Sequence, residues 1–410
     1  MNKLKEISAL VPRSLIEIDK NFNLEVNKEG FCSLSIFMEE GFVSNIQPIA
    51  SNSSTPNQIL FPRFVEPHAH FDKAFSWVDF PNLKSNYENA LAVNLEEHLT
   101  RTSEKIINRA EESINLAIKN GYRAIRSHID IYSSQDEDIW SKLFNLKKKY
   151  ANILTLQFVG LAPLEFWNTS KGRLLAEKLS SKEFILGGVV VPPFKKRYLN
   201  NLLSNMLLIA ENHNLEIDLH IDESSSEPAA GIKVLLKVLD NLEIKIPITC
   251  SHLSSILSLE EKEILKIGKK ISDKKIRVVA LPLTNFWLLN RNNKNTSLNR
   301  NVAPIKQFQR CFVDVSIGSD NVQDPWYAFG NFDPIYLMSL ALPMLQLNPW
   351  ERLSLSALMS APSRLMNLPW DGVITKGCPA DFVVLEAKIW ADIFSSNVKR
   401  KVFINGKVYK

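Results

Sequence analysis

Short apolar runs alternate with amphipathic ones through the middle of the chain. The run "QILFPRFVEP" ends at Pro67. It is followed by "RAIRSHIDI", "NILTLQFVGLAP", "FILGGVVVPP", "LEIDLHIDE", "IKIPITCSH", "KIRVVALPL" and "RCFVDVSIGSDN". Most of these are too continuously apolar to be half-exposed strands, so they read as strands buried on both faces. Between many of them apolar residues recur at helical spacing, as in "EKIINRAEESINLAIKNG", "NLLSNMLLIAENHN" and "SLEEKEILKIGKKISDKK",. Gly121 sits where a helix stop belongs,. Eight buried strands alternating with helices predict an α/β fold, a (β/α)8 TIM-type barrel,.

The two ends carry a different pattern. "CSLSIFMEEGFVSNI" holds two β-like runs around the turn "EEG". Near the other end, "ADFVVLEA" precedes "KRKVFINGKVYK", where "NG" signals a hairpin,. These runs predict a small β-sandwich domain built from both termini. Residues 1–57 and 369–410 would supply its two parts, with the barrel over 58–368. No internal repeat or low-complexity tract interrupts the pattern.

Composition narrows the function classes. The 410 residues are 45% hydrophobic and 23% charged, an ordinary globular balance with a sizeable core,. The net charge is +5 and the lysines are scattered, with no basic stripe for nucleic acid,. Cys32, Cys250, Cys311 and Cys378 form no CxxC pair and read as reduced thiols,. The N-terminal residues lack a signal-peptide core, and no run approaches the ~20 apolar residues of a membrane span. The expectation is a cytoplasmic protein with neither nucleic acid nor membrane as partner.

The unusual feature is where polar residues fall. Catalytic groups of such barrels come from the C-terminal ends of strands. His68 and His70 end the first run, His128 and Asp130 the second, and His220, Asp222 and Glu223 the fifth. His252 ends the sixth, and Asp320 with Asn321 the eighth; His98 and His213 fall in helical patterns instead. Residues i and i+2 of a strand face the same way, so His68 and His70 can both point into the barrel mouth. With His220 and Asp320 they make an N/O donor set suited to Zn²⁺ or Fe²⁺. Taken alone, an HxH pair is more often a pair of satisfied polar groups. Glu223 and Asp222, taken alone, are a helix N-terminal charge pair.

The chain resembles the amidohydrolase superfamily and, within it, the cytosine deaminase-like group. "HAHFDKAF", "HIDE", "SHLSS", "GSDNVQDPWYAFG" and "KGCPADFVVL" carry the resemblance in the expected order, and it covers nearly the whole chain. It implies His68, His70, His220 and Asp320 as metal ligands, and Glu223 as the acid/base. His252 would contact the metal or its water, and Asp320 would accept that water's proton. Two-metal members carry a bridging lysine at the end of strand four. "FILGGVVVPP" has none, and Lys195 and Lys196 come only after two prolines. One divalent metal per chain, Zn or Fe, is the expectation.

The implied chemistry is hydrolytic release of ammonia or an amine from a small nitrogen heterocycle. Glu223 would protonate a ring nitrogen and later the departing amine. Two alternatives stand beside it: a cyclic amidohydrolase that opens a ring amide, and a non-catalytic small-molecule binder. Intact Glu223, His252 and Asp320 speak against the last. Specificity residues depart from the group's pattern. Ala162-Pro163-Leu164 replaces Phe-Pro-Gln, so Leu164 cannot read a pyrimidine edge. Asn321 replaces a second carboxylate, as in isopropylammelide hydrolases, and Ser319 replaces a histidine. Cytosine therefore fits poorly. Lys73 either reaches a substrate carbonyl or pairs with Asp72. Trp326 either covers the substrate ring or packs at the rim. Residues 72–100, with Phe75 and Trp77, form either a lid or a solvated loop and helix. Whether several copies assemble stays open.

Overall fold

The structure, a computed structural model, describes residues 5–18, 24–50, 54–131, 137–291, 294–297, 299–395 and 398–409. The chain divides into two compact units. One comprises 1–65, 115–124 and 332–410, and the other 66–114 and 125–331.

The first unit contains a seven-stranded sheet. Its N-terminal strands are β1 (Lys5–Pro12), β2 (Phe31–Glu39), β3 (Phe42–Pro48) and β4 (Ile59–Pro62). The two layers expected of a sandwich are joined in this one hydrogen-bonded sheet. Alternate residues, among them Ile7, Ala9, Val11, Leu34, Ile36 and Val384, share one apolar cluster, as strand periodicity requires,. The "EEG" turn joins β2 to β3, and Asn405 and Gly406 turn the last hairpin with φ of 50° and 69°.

The run "QILFPRFVEP" is two strands rather than one. Arg63 separates β4 from β5 (Phe64–Ala69), the first strand of the barrel. Its guanidinium is 1% exposed and salt-bridged to Asp381 at 3.2 Å. A continuous apolar run hides such a break, because both strands are buried.

The barrel continues with β6 (Tyr122–Asp130), β7 (Thr155–Pro163), β8 (Ile185–Val190), β9 (Glu216–Ile221), β10 (Ile248–His252), β11 (Arg277–Ala280) and β12 (Val315–Ile317). These eight strands lie in sequence order from β5 to β12, and a parallel bridge from Ala69 to Asp320 joins the two edges. Helices α1 (Tyr87–Thr100), α2 (Ser103–Asn120), α3 (Glu137–Tyr150) and α4 (Leu164–Trp167) follow the first three barrel strands. Gly121 stops α2 at φ +103°, where a side chain would be strained,. The stretch after β5 is a short turn of helix at Ser76–Val78 and then α1, capped by Asn86, whose side chain accepts from the Asn89 amide,. Among the described residues no helix is long and apolar enough to cross a membrane.

Candidate active site

The strand-end histidines converge. His68 Nε2 lies 3.3 Å from His70 Nε2 and 3.2 Å from His220 Nε2, and the last two are 3.3 Å apart. Asp320 Oδ1 completes the group, 3.4 Å from His68 Nε2 and 3.2 Å from His70 Nε2. Donors at about 2.0–2.1 Å from one ion, subtending tetrahedral-like angles, stand roughly 3.2–3.4 Å apart. The spacing therefore fits a shared divalent cation. Burial and neighbouring imidazoles push His68 and His220 well below the usual histidine range, so both are neutral, the form that binds a metal. Burial alone would raise the Asp320 carboxyl, but the imidazoles of His68, His70 and His252 crowded against it hold it well below the carboxylate range. Neither Asp320 oxygen has a hydrogen-bond partner, and Nδ1 of His70 and of His220 are likewise orphaned. A buried carboxylate in that state calls for a cation.

The sequence places these groups through strand alternation and local backbone strain. His252 and Asp320 adopt φ of +74° and +66°, the left-handed region, which turns them at the ends of their strands,. Such strain is held where surrounding structure over-determines it. Asp222, at φ +55°, takes the plainer role foreseen for it. Its oxygens accept from the amides of Gly231 and Ile232 at 2.7 and 2.9 Å, at the start of a helix. Glu223 does not share that role. It lines the cavity, and burial followed by the Asp320 charge raises its carboxyl well above the usual range. His252 is pushed down to about 4 by burial.

A layer behind these residues was not visible in the sequence. His68 Nδ1 pairs with Ser251 Oγ at 2.9 Å, and Ser251 Oγ donates to Asp218 Oδ1 at 2.9 Å. That chain puts the His68 proton on Nδ1 and leaves Nε2 as the donor atom. Asp218 is in turn bound by Arg126 at 3.1 Å and lies 3.5 Å from His128, whose ring stacks on His68. Asn285 Nδ2 donates to His252 Nδ1 at 2.9 Å and to Glu223 Oε1 at 3.3 Å. Two members left a signal: His128 at its strand end, and Asp218 by its position two residues before His220 on the same strand face.

A cavity of about 380 Å³ opens over these groups. His70, Lys73, Asn94, Asp130, Glu165, His220, Glu223, His252, Asp320 and Asn321 line its polar side. Tyr87, Leu91, Leu95, Leu161, Ala162, Pro163, Val189 and Trp326 line the apolar side. Lys73 pairs with Asp130 at 2.7 Å, while Asp72 binds Arg101 at 2.7 Å. The alternative partner expected for Lys73 was thus the wrong carboxylate. Asn321 Nδ2 donates to Asp324 Oδ2 at 2.7 Å, which fixes the orientation of its amide. Trp326 lies in the lining with its ring edge-on to Tyr87, at 5.1 Å.

Leu164 is not in the lining. Pro163 ends β7 and Leu164 begins α4, so its side chain turns into the core at 3% exposure. Its Cδ2 occupies the space left by Gly188, where a Cβ would lie 2.6 Å away. Strand three meets the cavity through Leu161, Ala162 and Pro163 instead, and α4 through Glu165. At strand four, Lys195 and Lys196 are exposed.

No family model matches the chain. It is 24% identical over 391 residues to a pterin deaminase of Rhizobium rhizogenes, covering 93% of this chain and 89% of that protein. It is 22% identical over 360 residues to an N-isopropylammelide isopropyl amidohydrolase of Pseudomonas, covering 85% of each. Its fold superposes on 5-methylcytosine deaminase from Klebsiella pneumoniae with a TM-score of 0.79, at 18% identity over 98% of this chain and 97% of that one. Two of these three proteins are named deaminases and one an amidohydrolase, in keeping with the group the sequence motifs resemble.

Proposed function

We propose that the protein is a metal-dependent hydrolase that releases ammonia or an amine from a small nitrogen heterocycle. The observation that carries this reading is the pairing of an open donor cluster, His68, His70, His220 and Asp320, with the buried carboxyl of Glu223 in the same cavity. Three imidazoles and one carboxylate in a tight shell favour Zn or Fe over harder ions. Absence of a strand-four lysine favours one ion per chain. When bound, the ion supplies an acidified water as nucleophile.

The chain's own residues do the rest. Burial and the Asp320 charge make Glu223 hold its proton more tightly than an exposed carboxyl, and it donates that proton to a ring nitrogen, making the adjacent carbon electrophilic. His252 accepts from Asn285 on Nδ1, so its Nε2 carries a hydrogen, available to hold the incoming oxygen. Asp320 takes the first proton that water loses; Glu223, ionised by its own transfer, takes the second from the new C–OH and gives it to the departing nitrogen, and the proton held on Asp320 then restores Glu223. A C–O bond forms, a C–N bond breaks, and nothing is oxidised. Lys73, charged and backed by Asp130, offers donors to a ring carbonyl. Asn321, with its amino group committed to Asp324, offers its oxygen to a ring N–H. Trp326 and Tyr87 cover the ring.

The test is product analysis with metal-loaded protein on pyrimidines, triazines and pterins. Ammonia or amine release is the expected result, with cytosine among the poorer substrates. A new carboxylate without amine release from every substrate would replace this reading with ring-opening.

A further inference from the structure

Large apolar side chains left open to water mark a surface that something else covers. Leu91 and Leu95 are 42% and 45% exposed, Val189 is 38% exposed, and all three face the active-site cavity. They come from two distant elements, α1 and β8. Leu91 and Leu95 stand one helical turn apart, on one face of α1. Leu161, Ala162 and Pro163 continue the apolar lining from β7, and the exposed Glu165 of α4 is the charged residue that follows them in it. Ala162 is small, so the wall is set back there.

Depth separates this surface from the chemistry. Glu223, His252 and Asp320 are 5%, 1% and 1% exposed, at the bottom of the cavity. The half-exposed leucines and valine are therefore at its mouth. A reacting carbon must sit at the bottom, within reach of Glu223. A bare ring held there leaves the apolar mouth facing water. A ring with an apolar arm on the side away from the reacting carbon covers it.

We propose that the substrate is a nitrogen heterocycle carrying an apolar substituent remote from the departing amine, held between α1 and the ends of β7 and β8 and kept in the product. This rests on the amine-releasing reading and adds the substituent to it.

Two series of one aminoheterocycle test it with the metal-loaded protein. In the first, a ring position remote from the amine carries methyl to butyl; in the second, the departing nitrogen carries the same groups. Affinity by calorimetry and amine release are both measured. In the first series affinity should rise about fourfold per methylene, and in the second it should not. Flat affinity in the first series, with amine still released, overturns the substituent and leaves the reaction intact. Rising affinity with no amine released from any compound overturns the reaction and leaves the pocket. A rise confined to the second series overturns the remote placement. Leu91→Asn with Leu95→Asn should flatten the slope, with a cooperative melt showing that the variant folds. Val189→Thr, an independent change on β8, should lower it in part. A slope unaltered in both variants overturns the assignment of these side chains.

Discussion

Two clusters of buried charged side chains lie in the same unit, beside the same cavity. Around Arg101, three cations (Lys73, Arg101, Arg109) face three anions (Asp72, Glu97, Asp130). Arg101 alone binds Glu97 and Asp72 at 2.7 Å each and Asp130 at 3.2 Å. Burial would lower its guanidinium, yet Asp72, Asp130 and Glu97 drive it further up. The histidine cluster is built differently. Its three Nε2 atoms crowd one point, and both oxygens of Asp320 lack hydrogen-bond partners. Both clusters are largely hidden from water, so burial alone does not tell a site from a scaffold. Closure of the charge does: the three cations and three anions of the Arg101 group balance, and the histidine group needs an ion. The closed cluster still serves function, since it ties α1, which carries Leu91, Leu95 and Asn94, to the strand-end residues Asp72 and Asp130.

The sharpest way to break this contrast is at Glu223, which the open cluster alone accounts for. Glu223→Gln should lower turnover of a verified substrate by ~10²–10⁴-fold, while elemental analysis finds metal retained. Turnover near the wild-type rate would remove Glu223 as proton carrier. The closed cluster should fail through stability instead. Arg101→Met leaves three carboxylates facing two cations, and breaking a buried pair costs about 3–5 kcal/mol. Denaturant titration should show that loss, with Arg101→Lys recovering part of it. A smaller effect separates the layers of the open cluster. Ser251→Ala cuts the link from His68 to Asp218 and should weaken metal affinity roughly 10–100-fold, read by chelator competition, with little change in melting of the metal-free protein. The smallest effect is at Asp324, fully buried behind Asn321. Burial raises the Asp324 carboxyl to about 6, so the folded state holds a proton that the unfolded chain has released. Its contribution to stability therefore falls as pH rises from the usual carboxylate range through about 6. Asp324→Asn should flatten that part of the stability profile relative to wild type.

What could be read in the sequence followed from local rules. Alternation along β5 exposed the pair His68 and His70, and strand ends gathered His220, His252 and Asp320 into one mouth. The barrel was legible because its strands are short apolar runs punctuated by helices. Long-range pairings were not. Ser251 reaches His68 across 183 positions and Asn285 reaches Glu223 across 62, and no spacing rule spans such gaps. Leu164 was assigned to the cavity from its place after strand three. The turn into α4 at Pro163 rotates its side chain away, and a glycine on the next strand accepts it. Likewise, Lys73 beside Asp72 suggested a neighbour pair, whereas adjacent residues point apart and Lys73 meets Asp130.

Asn285 has a consequence for direction. An amide nitrogen has two hydrogens, and here one goes to His252 and the other to Glu223 Oε1. With Oε1 occupied as an acceptor, the proton of Glu223 resides on Oε2. One amide thus gives the acid a handedness: the ring nitrogen must approach from the Oε2 side, which restricts the face and the rotation in which a heterocycle can be turned over. Substrates that bind flipped would meet an oxygen with no proton to give.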